Sequence, residues 1–198
     1  MQDLPGIRRR HGQRGFSLVE VLVSIVVLSF GLLGIVGLQA GALQSNHDAR
    51  QQSAAVVLAR ELAEMMRGNK DVAMRAANNP YLGSFRTSPL APSAPSFCLG
   101  VAATSPCADA AAVATAQMTE WLARADAQLP GARVDVCFDG APYDADGLPR
   151  WSCDDTGDMV VIKIGWTRRS TDRSLSGDAA LERAAVPSIV FPVTPGGS

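Results

Sequence analysis

Histidine and aromatic residues are scarce in this chain of 198 residues: two histidines, three tryptophans, two tyrosines and six phenylalanines. So few large side chains imply a small core. Neither sign of charge dominates, since 18 lysines and arginines stand against 19 acids, for a net charge of −1. The leader is basic (Arg8, Arg9, Arg10, Arg14) and the remainder is mildly acidic. That distribution lacks the basic face that nucleic acid requires, so no nucleic-acid partner is expected. There is no Cys-x-x-Cys pair, and His47 is the only histidine beyond the leader. The four cysteines therefore do not read as a zinc site, and His47 reads as a solvated helix residue. No Gly-x-Ser-x-Gly elbow appears, and no glycine-rich phosphate loop comes after a strand. Without a nucleophile constellation, no cofactor, small-molecule substrate or enzyme activity is expected.

What the sequence does have is one long apolar run, Phe16–Leu38, broken by a single charge, Glu20. About 20 apolar residues cross a bilayer core. The basic flank places the N-terminal side in the cytoplasm, and the chain beyond the run on the opposite side. A carboxylate inside such a run costs about 2.5–3.5 kcal/mol near the bilayer centre and less towards the interface, so it calls for a reason. A secretory signal peptide cut at Ala40-Gly41-Ala42 fits poorly, because its apolar region spans only about 7–15 residues. A plain membrane anchor accounts for the run but for neither Glu20 nor the Gly15-Phe16 junction.

The stretch Gly15-Phe16-Ser17-Leu18-Val19-Glu20, behind its basic leader, resembles the processing motif of the type IV prepilin and pseudopilin superfamily. The resemblance implies that a membrane-embedded prepilin peptidase cuts between Gly15 and Phe16 and methylates the new amine of Phe16. It implies that Glu20 acts in assembly, where its carboxylate pairs with the Phe16 ammonium of an adjacent subunit and both charges are neutralised. Gly31, Gly34, Gly37 and Gly41 interrupt the run, and Gly37 with Gly41 forms a pair of small residues suited to close helix approach. Major pilins often carry proline where Gly37 stands, so helix melting at this point on assembly is left open against simple tolerance of glycine.

Downstream, Cys98, Cys107, Cys137 and Cys153 would lie in an oxidising compartment, where disulfides persist. Four cysteines allow three connectivities. Local loop closure favours Cys98–Cys107 and Cys137–Cys153, each contributing roughly 2–4 kcal/mol. The helix is expected to continue through Leu43–Arg67, where Ala55, Leu58, Leu62 and Met65 recur at helical spacing, and to stop at Gly68-Asn69. Residues 71–106 carry Asn78-Asn79-Pro80 and four further prolines and read as a surface loop. A second helix spans 109–129, with Val113, Gln117, Trp121, Leu122 and Ala125 on one stripe and Pro130-Gly131 ending it. Strands are expected at 132–138, 159–167 and 188–191. Asp144 and Asp146, with Gly147, fit positions three, five and six of a calcium loop. Pro142 and Cys153 then occupy positions one and twelve, where carboxylates are needed. A non-standard cage drawing also on Asp154 is the weaker reading, and a disulfide-closed acidic turn the stronger.

The expected fold is α+β and pilin-like: a long N-terminal helix, half transmembrane and half amphipathic, packed on a small antiparallel sheet with a second helix. Residues 1–15 would be a cleaved leader, 16–41 the transmembrane or fibre-core segment, and 42–198 a periplasmic domain. Leu129-Pro130-Gly131-Ala132, the strand ending at Cys137, and Val161-Ile162-Lys163-Ile164-Gly165-Trp166 narrow the resemblance to minor pilins of the type IV pilus. That implies a subunit anchored in the inner membrane that joins other minor pilins and the major pilin through its N-terminal helix, primes assembly and enters the pilus near its tip. The I-type minor pseudopilin of type II secretion shares the N-terminal motif, and a pilus-tip adhesion module using the 71–106 loop is the remaining alternative.

Overall fold

The computed structural model describes residues 15–170, 172 and 174–194. The chain divides into two compact units, Met1–Asn46 and His47–Ser198. Helix α1, Leu18–Gly68, begins in the first and ends in the second. No proline occurs between Phe16 and Asn79, so nothing interrupts the ladder. Ser17 starts it: its carbonyl accepts from the Glu20 and Val21 amides at 3.0 and 3.3 Å. In the first unit every described residue is exposed. In the second unit α1 is one-sided, burying Gln51, Ala55, Leu58, Ala59, Leu62, Ala63 and Met66. Met66, not the expected Met65, completes the stripe, and Met65 packs at its margin.

The second unit surrounds that stripe. Helix α2 (Lys70–Ala73) precedes strand β1 (Gly83–Phe85), and helix α3 spans Ala110–Gln128. Strands β2 (Arg133–Phe138) and β3 (Val160–Gly165) come next, then a small hairpin of β4 (Arg168–Arg169) and β5 (Leu181–Glu182), and finally β6 (Ile189–Val193). The main sheet has the order β1-β2-β3-β6, with every pair antiparallel. Asp109 caps α3 by accepting the Ala112 amide at 2.7 Å. The helix ends before Pro130, where Gly131 takes φ +56° so close to Thr167 that a Cβ would lie 2.5 Å from its Oγ1.

The inward face of the sheet carries Val134, Val136, Val160, Ile162 and Ile164, which share one core with Leu58, Leu62, Met118, Trp121 and Leu122 of the two helices. Trp121 is fully buried, and its indole donates to the Leu58 carbonyl at 2.9 Å. Trp166 does the same to Gln51 Oε1 at 3.1 Å. Two buried tryptophans thus tie α3 and the β3 end to α1 through hydrogen bonds that satisfy their only polar atom. On α3, Ala114 and Met118 are buried where Val113 and Gln117 were expected, and those two sit half-buried beside them.

Two further expectations are corrected, and one element is new. Residues 71–106 are not all loop: Gly83-Ser84-Phe85 pairs with Val136-Asp135-Val134, and Tyr81 and Leu90 enter the core. A three-residue strand containing glycine shows no alternation, so periodicity misses it. Strand β6 continues through Pro192, because an edge strand has one row of groups that needs no amide donor. The β4–β5 hairpin was not expected at all. It is only two residues deep and exposed, too short for a pattern.

Candidate processing and assembly segment

Gly15, Phe16 and Ser17 precede the first turn of α1 and are exposed, Phe16 at 81%. The Gly15–Phe16 peptide therefore stands outside the helical hydrogen-bond ladder. Arg8, Arg9, Arg10 and Arg14 of the basic leader lie outside the described residues. Glu20 occupies the first turn, where a carboxylate faces the positive end of the helix dipole. Ser24 Oγ donates to the Glu20 carbonyl at 2.7 Å, and Ser29 Oγ to that of Ile25 at the same distance, so the hydroxyls in the apolar run are satisfied within the helix. Leu18, Val19, Val21, Val23, Ile25 and Val27 are all exposed, on every side of the helix. A helix that is apolar all round belongs in lipid or among other apolar helices. Among the described residues α1 is the one helix long and apolar enough to cross a membrane. Gly31, Gly34, Gly37 and Gly41 have open space where a Cβ would stand.

The cysteines close two local loops, Cys98–Cys107 and Cys137–Cys153. Asp139 lies beside the second bridge, but oxidised sulfurs offer no thiolate to a metal. The acidic turn resolves into separate small motifs. Asp144 Oδ1 accepts the amides of Asp146 and Leu148 at 3.0 and 2.8 Å. Asp154 Oδ1 accepts those of Thr156 and Gly140 at 2.9 and 3.1 Å. The Thr156 amide, and after it that of Gly140, hold the Asp154 carboxyl below the ordinary carboxylate value. Asp144 and Asp154 thus spend acceptor capacity on turn amides, and the structure does not join them with Asp146 in one carboxylate cluster.

One acid of that turn is not solvated. Asp139 and Lys163 are both fully buried, and Lys163 Nζ donates to Asp139 Oδ2 at 2.5 Å and to the Ser152 carbonyl at 2.8 Å. Lys163 lies on the outward face of β3, and all six residues of that strand are buried. The sheet is therefore covered on both faces, inward by the helices and outward by the chain around Ser152. A lone lysine inside Val160–Ile164 was the signal in the sequence, since a charge amid a buried run demands a partner. Its cross-strand neighbour Asp135 is not that partner. Asp135 Oδ2 accepts from Arg133 Nε and Nη2 at 3.1 and 2.9 Å, and Arg133 in turn stacks over the Trp151 ring at 3.9 Å.

Residues 10–36 match the family model described as the prokaryotic N-terminal methylation motif. The match spans the Gly15–Phe16 junction, Glu20 and most of the apolar run. No curated protein and no solved structure matches the chain. The motif implies a substrate of prepilin peptidase with pilus-assembly partners. The single apolar helix fits anchoring in the inner membrane. With a long N-terminal helix packed, in the second unit, on a small antiparallel sheet beside another helix, the motif supports a place for this chain in the type IV pilin family.

Proposed function

We propose that the chain is a minor pilin of the type IV pilus, in the branch of the type IV pilus modification protein PilV. It is inserted with its leader in the cytoplasm and its second unit in the periplasm, and is cut between Gly15 and Phe16 and methylated on Phe16. It then joins other minor pilins in a membrane complex that primes the fibre and remains near the tip. The observation that carries this reading is the coincidence, at one helix start, of an accessible Gly15–Phe16 bond, Glu20 in the first turn and an apolar surface exposed all round. In a fibre, the Phe16 ammonium of one subunit and the Glu20 carboxylate of the next would meet in an apolar surrounding. There an unpaired charge is costly, so the pair fixes the axial register between helices.

The test is the intact mass and N-terminal sequence of the protein from its native membrane, with a Glu20→Ala variant in parallel. A chain beginning at N-methylated Phe16, and surface fibres lost with Glu20→Ala while cleavage continues, is the expected result. Lost protein export with fibres intact would move the chain to the type II secretion pseudopilins. A chain beginning after Ala42 would end the pilin reading.

A further inference from the structure

A cleft of about 490 Å³ opens on the second unit between β1, β2 and the segment around the Cys137–Cys153 bridge. Leu82, Phe138 and Trp151 give it an apolar lining, and its polar lining includes Asp135, Arg86, Ser84, Ser152 and, at its exposed margin, Asp155. This is the size and the mixture of a small-ligand site, mostly apolar with a few placed polar groups. One atom in it is unsatisfied. Asp135 Oδ1 is buried and has no hydrogen-bond partner, although Oδ2 of the same carboxylate is held by Arg133. Arg86 Nη2 faces Oδ1 at 3.7 Å, beyond hydrogen-bond distance, on a side chain 58% exposed. A buried carboxylate oxygen left without a donor costs more than the ordinary hydrogen bond it forgoes. Arg86 Nε donates to Ser84 Oγ at 2.7 Å, so the cleft holds a fixed acceptor and, beside it, a guanidinium anchored at Nε whose Nη2 does not complete it.

The chemistry of the missing group is set by that pair. An ammonium would satisfy Asp135 but be repelled by Arg86, and a carboxylate or phosphate would bind Arg86 but be repelled by Asp135. A hydroxyl does both at once, its O–H donating to Oδ1 and its lone pair accepting from the guanidinium, about 2.8 Å from each. Neighbouring hydroxyls would find Ser84 and Ser152, while C–H faces lie on the apolar lining. A compact molecule with several hydroxyls on an apolar ring is a pyranose. We propose that this cleft is a binding site for a saccharide, with Asp135 and Arg86 grasping one hydroxyl and the ring against Trp151, Phe138 and Leu82. The site lies within the second unit and does not depend on the pilin assignment.

The test uses the full chain in lauryldimethylamine oxide micelles, since detergents with sugar headgroups would compete. Methyl glycosides of glucose, galactose, mannose and N-acetylglucosamine are the probes, read by saturation-transfer difference NMR and titration. At least one should bind with a dissociation constant of about 1 mM or tighter. Arg86→Gln, which removes a half-exposed side chain, should weaken it about tenfold. Arg60→Gln, an exposed charge on α1, should leave it unchanged. Asp135→Asn keeps the shape but reverses one polarity, and should select against the same hydroxyl. If no glycoside binds a folded chain, the open valence of Asp135 is met by water alone and the proposal fails. It fails equally if binding is indifferent to Arg86→Gln.

Discussion

Replacing Lys163 by methionine removes one charge of a pair in which both partners are fully buried, and so strands Asp139. Breaking such a pair from one side costs about 3–5 kcal/mol, because the remaining charge keeps its desolvation penalty without its partner. The two sides are not equivalent. Without Lys163, Asp139 still accepts the Ala141 amide at 3.0 Å and faces Arg150 at 4.0 Å. Without Asp139, the Lys163 ammonium keeps only the Ser152 carbonyl. Lys163→Met should therefore cost about 3 kcal/mol and Asp139→Leu closer to 5. The second unit has 152 residues (198 − 47 + 1), for which each kcal/mol moves the melting midpoint by about 2–4 °C. The expected falls are roughly 6–12 °C and 10–20 °C on that scale. The double variant, with neither charge of the pair left, should recover most of the loss. Thermal unfolding followed by circular dichroism, repeated at low and high salt, measures all three; a buried pair is little screened, so the differences should persist. Single variants losing under about 1 kcal/mol would refute the reasoning, since that is the value of a solvated surface pair.

Trp121→Phe should cost about 1–3 kcal/mol by leaving the buried Leu58 carbonyl without its indole donor, read in the same melts. Gly165→Ala should destabilise by about 1–3 kcal/mol through overpacking, since its Cβ would stand 2.8 Å from both Ala184 and Trp151; an unchanged midpoint would mean the outward cover of the sheet shifts freely. Asp154 has a folded-state pKa below its unfolded one, so it favours the folded state above about pH 4 and loses that contribution as pH falls through the lowered value. An NMR titration of the Asp154 carboxyl should show a midpoint below the ordinary one, and Thr156→Pro, which deletes the leading amide donor, should raise it.

Elements with long periodic signals were legible in the sequence. The apolar run, the α3 segment ending at Pro130, and the run Val160–Ile164 each extend far enough for burial to leave its period. Loop closure, too, was legible, because Cys98 with Cys107 and Cys137 with Cys153 are near in sequence and sit in segments rich in turn formers. What escaped is what depends on partners distant in the chain. Strand β1 exists because β2 offers an edge, and its own three residues carry no pattern. In the sequence Asp139 stands with Asp144, Asp146, Asp154, Asp155 and Asp158 around one turn region, and only the position of Lys163 across 24 residues separates it from the solvated ones. The Asp135–Arg133–Trp151 stack was invisible for the same reason: alternation along β2 says which residues face outward, but not that an outward face will be covered. The Gly15–Phe16 junction and Glu20 are the opposite case. Their signal is wholly local, and their environment in this chain alone is solvent.

That contrast bears on how one helix can serve two settings. From Leu18 to Arg50 every residue of α1 is exposed, and from Gln51 onward a stripe is buried beneath α3 and the sheet. The second unit thus completes its core within its own 152 residues, including hydrogen bonds to both core tryptophans. The apolar segment, in turn, meets its backbone and hydroxyl needs within the helix and makes only a general demand, an apolar surrounding. Lipid tails and the helices of neighbouring subunits meet that demand about equally, so exchanging one for the other leaves little net hydrophobic driving force. On the pilin reading, direction must then come from the few groups that tell the two surroundings apart. Among the described residues of the segment Glu20 is the one charged side chain before Asp48, and in lipid it lacks the counter-charge that a neighbouring Phe16 ammonium would supply. On that reading, the difference between a domain on a membrane tether and a subunit drawn into a fibre would rest on that carboxylate.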